Sequence, residues 1–168
     1  MKKFFAYLSV ILFFSPSSVI AEEYDEKIIY SNGSWKVASW AYAADSISCA
    51  AGNLQNEKEF FIEVNPYENY EILGFWYNDF DRIIKLKRVT FQIDSNRGWF
   101  SDAPEFEDGS IWVDFDNASD ANIDTIIREI MNGKKLIHLD DSDKVISTFD
   151  LSGSFASMRV LIECLENI

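Results

Sequence analysis

The chain has one histidine, two cysteines and 15 basic residues against 28 acidic ones. Each shortage closes off a chemistry. Zinc sites draw on several His and Cys ligands, and His138, alone between Ile137 and Leu139, has no such company. With Asp140 and Asp141 following, it is expected on a solvated hairpin rather than at a catalytic centre. No serine stands in a nucleophile-elbow pattern. The acids Asp114, Asp116 and Asp120 with Asn117 lack the glycine and closing glutamate of an EF-hand loop. They are read instead as strand-edge acids and, with Ser119, as a helix cap. No metal and no cofactor is expected. A formal net charge of −13 is repelled by nucleic acid and by anionic membrane surfaces. Such a charge provides solubility by itself, and it would also steer in a basic partner.

Long apolar runs are scarce too, and the single one sits at the N-terminus. Met1-Lys2-Lys3 is basic, residues 4–14 are apolar apart from Ser9, and small residues lead to Val19-Ile20-Ala21. That order is the design of a secretory signal, and the run is short for a bilayer span. The reading is a signal peptide over residues 1–21 and one mature domain over 22–168, periplasmic or secreted, with no membrane insertion once the signal is cleaved. Losing Lys2 and Lys3 makes that domain more acidic by two charges. In an oxidising compartment an even pair of cysteines predicts one bridge, Cys49 to Cys164. Closing so long a loop is worth about 4–5 kcal/mol by chain entropy.

Short strands dominate the rest. Asn32-Gly33 between residues 28–30 and 34–42 is a hairpin cue, with Trp35, Val37 and Ala41 on one face and Trp40 and Tyr42 on the other. Residues 46–51 form a strand holding Cys49. Phe60, Ile62 and Val64 share a side until Asn65-Pro66 stops the strand. Residues 70–77 are nearly all apolar, as in a strand buried on both faces. The apolar parity changes between Leu86 and Val89, which calls for a bulge or a turn. Ile111, Val113 and Phe115 mark a strand, and Ile123, Ile126, Ile127, Ile130 and Met131 the stripe of a helix that Gly133 ends. Residues 136–139 and 145–149 form a hairpin. Residues 152–168 form a closing helix with Phe155, Met158, Leu161, Ile162 and Leu165 on one sector and Val160, Cys164 and Ile168 on the next, a width that suits a groove between elements. The sum is an α+β fold: a single β-rich domain, either a sandwich or a strongly curved antiparallel sheet, with two helices in the C-terminal half.

Residues 95–109 break the strand rhythm. Turn chemistry at Asn96, Gly98, Ala103-Pro104 and Asp108-Gly109 is mixed with Trp99, Phe100 and Phe106 and with Asp102, Glu105, Glu107 and Asp108. Rigid aromatics ringed by acids suit an anchor patch for a basic protein partner; the same loop could also fold its aromatics back over the core. Trp99, Phe100, Asp102, Glu105, Glu107 and Asp108 are therefore the candidate partner-binding residues. The function read from this is a non-catalytic binding or inhibitory protein acting on a cell-envelope or host partner. The alternative is a secreted glycoside hydrolase that uses a pair of these carboxylates.

The Trp35-Lys36-Val37 strand ahead of a cysteine, and Phe149-Asp150-Leu151-Ser152-Gly153-Ser154 leading into a helix, resemble the exported bacterial family of invasion-associated locus B proteins and related small secreted domains. The resemblance implies a β-rich secreted domain linked to host interaction and brings no catalytic residues with it. With Cys49 and Cys164 alone, this chain has fewer cysteines than that family.

Overall fold

A computed structural model describes residues 25–43, 46–66, 70–78, 83–102, 104–107, 109–114 and 121–168. The signal-like residues 1–21, Asp108, and residues 115–120 with their cap and calcium-like acids lie outside the described residues. The elements run β1 (Asp25–Asn32), β2 (Trp35–Ala43), β3 (Ser46–Gln55), β4 (Lys58–Asn65), β5 (Tyr70–Tyr77), β6 (Val89–Ile93), β7 (Trp99–Ser101), β8 (Glu105–Glu107), β9 (Ser110–Asp114), α1 (Ala121–Asn132), β10 (Lys135–Leu139), β11 (Val145–Asp150) and α2 (Ser154–Leu165). Seven strands pair in the order β1-β2-β3-β4-β5-β9-β8 and four in the order β11-β10-β6-β7. All pairings are antiparallel.

Alternation explains how the sheets meet, since every second side chain of a strand shares a face. Trp35, Val37, Cys49, Ala51, Phe60, Ile62, Leu73, Phe75 and Ile111 on the large sheet are buried. They face Val89, Phe91, Ile93, Leu136 and Phe149 on the small one. Phe75 touches Phe91 and Phe149 across the gap, and Phe60 meets Phe149 edge to face. The small sheet is too narrow to cover all seven strands. Helix α2 packs against β1, β2 and β3 and against α1, closing the remainder of the inner face. Helix α1 buries Ile123, Ile126, Ile127 and Ile130, the stripe its sequence predicts.

The segment between β11 and α2 is clamped to the large sheet. Trp35 Nε1 donates to the Ser152 carbonyl at 3.0 Å, and Asn53 Nδ2 to the Asp150 carbonyl at 2.9 Å. Gln55 both donates to the Asp150 carbonyl and accepts from its N–H, and Lys58 Nζ donates to the Thr148 carbonyl. Side chains of β3 and β4 thus occupy backbone groups of the β11 edge, which would otherwise invite another strand. The Cys49–Cys164 disulfide forms, with Cα atoms 6.2 Å apart and a sequence separation of 115. It ties α2 to the inner face of β3.

Several expectations are corrected. Helix α2 keeps most of its expected sector, with Met158 and Leu161 buried and Ile162 and Leu165 packed on the core, but Phe155 is 54% exposed and Ser154 and Ser157 are buried beside the sector instead. Small serines are needed where α2 meets α1; Ser154 Oγ donates to the Ile130 carbonyl at 2.7 Å. Gly133 ends α1 by close approach rather than by a left-handed turn, because a Cβ there would lie 2.6 Å from Ile93 and 2.9 Å from the Glu129 carbonyl. Leu86 belongs to a turn before β6, its N–H donating to the Ile83 carbonyl, which accounts for the parity change. His138 is fully buried rather than solvated, because the small sheet turns it inward, opposite Phe91 and Ser147.

Candidate binding groove

If one parity of the large sheet fills the core, the other must face outward. That outward set is unusually aromatic. Register places Lys36, Gly52, Phe61, Gly74, Trp112 and Glu105 in one row across β2, β3, β4, β5, β9 and β8. The next row runs Leu54, Glu59, Trp76, Ser110. On the other side lies Ala38, Ala50, Glu63, Ile72, with Trp40 beyond. Small residues on the floor and tryptophans on the walls make a trough of about 520 Å³.

The two glycines set its shape. A Cβ at Gly74 would stand 2.5 Å from Phe61 Cζ and 2.8 Å from Trp112 Cβ, so the Phe61 ring lies flat over Gly74, the way an aromatic covers a bare glycine in a sheet. At Gly52 a Cβ would overlap Glu59 Oε1. The Glu59 carboxylate is thus folded down onto the floor, partly out of water. Among the described residues it has no hydrogen-bond or ion-pair partner. Burial pushes its pKa up, Lys36 acts against that, and Glu26 adds to it. Glu63, by contrast, is 7% exposed and accepts from Ser48 Oγ at 2.8 Å. A partly desolvated carboxylate among π-faces can attract a cation by charge and by cation–π contact, or accept from a neutral donor.

The residues expected to bind a partner fall into two groups. The 95–109 stretch is not one long loop: β7 is the edge of the small sheet and β8 the edge of the large one. Trp99 is half-buried against the core, its Nε1 donating to Glu129 Oε2 at 3.0 Å. Phe100 is 58% exposed under the Arg88 guanidinium, and Asp102 pairs with the same arginine at 2.7 Å. The aromatics of the stretch therefore divide, Trp99 folding back over the core and Phe100 facing solvent, and Arg88 neutralises one of its acids. Glu105 sits on β8 opposite Trp112 and extends the aromatic row; Glu107 pairs with Ser110 on the same edge.

Sequence reasoning missed Phe61, Trp76, Trp112 and Glu59. The signal was present: once Phe60, Ile62 and Val64 take the core side, Phe61 must point away, and Ile111 with Val113 sends Trp112 the same way. Aromatics on the solvent parity of neighbouring strands mark a contact face.

His138 belongs to a buried cluster. The Tyr77 hydroxyl lies 2.6 Å from His138 Nδ1 and 2.6 Å from Ser147 Oγ, and Phe75 stacks on the imidazole at 4.0 Å. Among the described residues His138 Nε2 has no hydrogen-bond partner. Burial lowers the imidazole pKa to about 3, so at neutral pH it is an uncharged and very weak base. Among the described residues no group of three or more His, Cys, Asp or Glu could hold a metal ion, and no helix is long and apolar enough to cross a membrane.

No family model, curated protein or solved structure matches the chain. The groove's own chemistry has to carry the functional argument.

Proposed function

We propose that this is an exported, non-catalytic binding or inhibitory protein that engages a basic protein partner in the cell envelope or outside the cell. The observation that carries the reading is the outer face of the large sheet, where Trp40, Phe61, Trp76 and Trp112 line a trough with the Glu59 carboxylate, which makes no hydrogen bond or ion pair among the described residues. Half-buried aromatics in a concave site supply anchor area. Among the described residues the groove holds Glu26, Glu59 and Glu63 against one cation, Lys36, and the whole chain carries −13, so local and overall charge both favour a basic surface. The disulfide suits an oxidising compartment, as does the signal-like start. The Trp35-Lys36-Val37 and Phe149-to-Ser154 resemblance to invasion-associated locus B proteins supports a host-facing setting.

The alternative, a carboxylate-dependent glycoside hydrolase, has the raised pKa of Glu59 in its favour. It needs a second carboxyl about 5–9.5 Å away. Glu63 lies four residues along the same strand, about 13 Å by backbone rise, and is held by Ser48, which leaves Glu26, whose charge adds to the rise at Glu59, as the second carboxyl this alternative would use. To test the two, lysine- and arginine-rich peptides, acidic peptides and a panel of glycans are titrated against the protein at several salt concentrations. Basic peptides should bind, more weakly as salt rises, and Trp112→Ala should release them. Glycan turnover abolished by Glu59→Gln would move the assignment to the hydrolase.

A further inference from the structure

We infer that the Glu59 carboxylate is the counter-ion for a single ammonium or guanidinium group on an apolar stem, a lysine or arginine side chain of the partner seated over the Gly52–Gly74 floor. This deepens the binding reading and rests on it. Three observations converge. The carboxylate lies on the floor because Gly52 leaves room for it, so a ligand reaches it only by entering the trough. It has no hydrogen-bond or ion-pair partner of its own among the described residues; Lys36, in the neighbouring row, acts on it through charge alone. Aromatic faces flank it: Trp76 is its cross-strand neighbour, and Phe61 is the next outward residue on β4. An alkyl stem would lie against the indole and phenyl surfaces while its charged head meets the carboxylate. That division of labour matches the amphipathic build of lysine and arginine. A sugar would use the same aromatics but has no charge to set against Glu59.

Small probes isolate this pocket from the rest of any interface. n-Butylammonium, n-butylguanidinium, n-butanol and glucose are titrated into the full mature protein by calorimetry and by indole NMR. The wild type, Glu59→Gln, Gly52→Ala and Glu166→Gln are compared, the last removing the same charge from the exposed end of α2. The two cations should bind the wild type and Glu166→Gln, n-butanol and glucose far more weakly. Glu59→Gln should weaken the cations about tenfold or more, as expected for loss of a charge-assisted contact. Gly52→Ala keeps the charge but lifts it off the floor, since the added Cβ meets only the flexible end of Glu59, and it should lose most of the affinity too. If it fails to fold, Glu59→Gln decides alone. Basic peptides that bind while neither cation does would overturn this inference and leave the binding reading standing. If neither peptides nor cations bind, both fall. Glucose binding that survives Glu59→Gln would overturn the cation assignment.

Discussion

Replacing His138 by phenylalanine should make the fold less sensitive to mild acid. The imidazole is fully buried, stacked on Phe75, and its pKa is lowered from 6.5 to about 3. Above pH 6.5 it is neutral in the folded and unfolded chains alike, so no stability is lost there. Below that, the unfolded chain takes up a proton that the folded one refuses, and stability falls as pH falls towards 3. The linkage relation gives a loss of about 2 kcal/mol between pH 8 and pH 5, and about 3 kcal/mol by pH 4. Phenylalanine keeps the stacking area, removes the orphaned Nε2 and leaves the Tyr77 hydroxyl bonded to Ser147. The gain and the loss at pH 8 are each about 1–2 kcal/mol and oppose one another. Urea unfolding at pH 8, 6, 5 and 4 isolates the effect, because the carboxylates titrate in both proteins and cancel in the difference. The variant should gain on the wild type by about 2 kcal/mol from pH 8 to pH 5. A difference constant within about 0.5 kcal/mol over that range would show that the histidine is not held neutral by the fold. As the only histidine, its ring signal can also be titrated directly without assignment.

Thiol titration of the denatured, unreduced protein should find no free thiol, and Cys49→Ser with Cys164→Ser should lower unfolding free energy by up to about 4–5 kcal/mol, read from urea midpoints. Gly133→Ala should destabilise by about 1–3 kcal/mol, because the new methyl meets the Glu129 carbonyl and Ile93 and not a flexible chain end; an unchanged thermal midpoint would contradict that packing. Trp99→Ala should lower stability by about 2 kcal/mol or more through lost core contact and the Glu129 hydrogen bond. Its effect on affinity for basic peptides should be small beside that of Trp112→Ala.

Much of the architecture was legible because burial imposes a period. Trp35 with Val37, Phe60 with Ile62, and the α1 isoleucines follow the spacing of one covered face, so strand and helix identities could be read along the chain. The disulfide followed from the even cysteine count and the signal-like start. What could not be read depended on neighbours far away in sequence. His138 looks like a hairpin residue until β6 and β11 flank it and turn it inward. Phe155 fits an apolar sector, but α2 meets α1 at Ser154, whose hydroxyl bonds the Ile130 carbonyl, and Phe155 is left facing solvent. Turn residues hid β7 and β8, since three-residue edge strands carry too little alternation to show a period. The groove was half visible: parity gave the outward direction of Phe61 and Trp112, but only the pairing of β4, β5 and β9 places them side by side over glycine.

The most direct test of the account is an indole NMR titration. The chain has five tryptophans: Trp40, Trp76 and Trp112 line the groove, Trp35 lies in the core, and Trp99 packs at the small-sheet edge. On addition of a lysine-rich peptide to the protein, the Nε1–H signals of Trp76 and Trp112 should move most and Trp40 with them, while Trp35 and Trp99 stay in place. A titration that moves Trp99 alone, or none of the five, would contradict the assignment of the outer face of the large sheet as the binding surface.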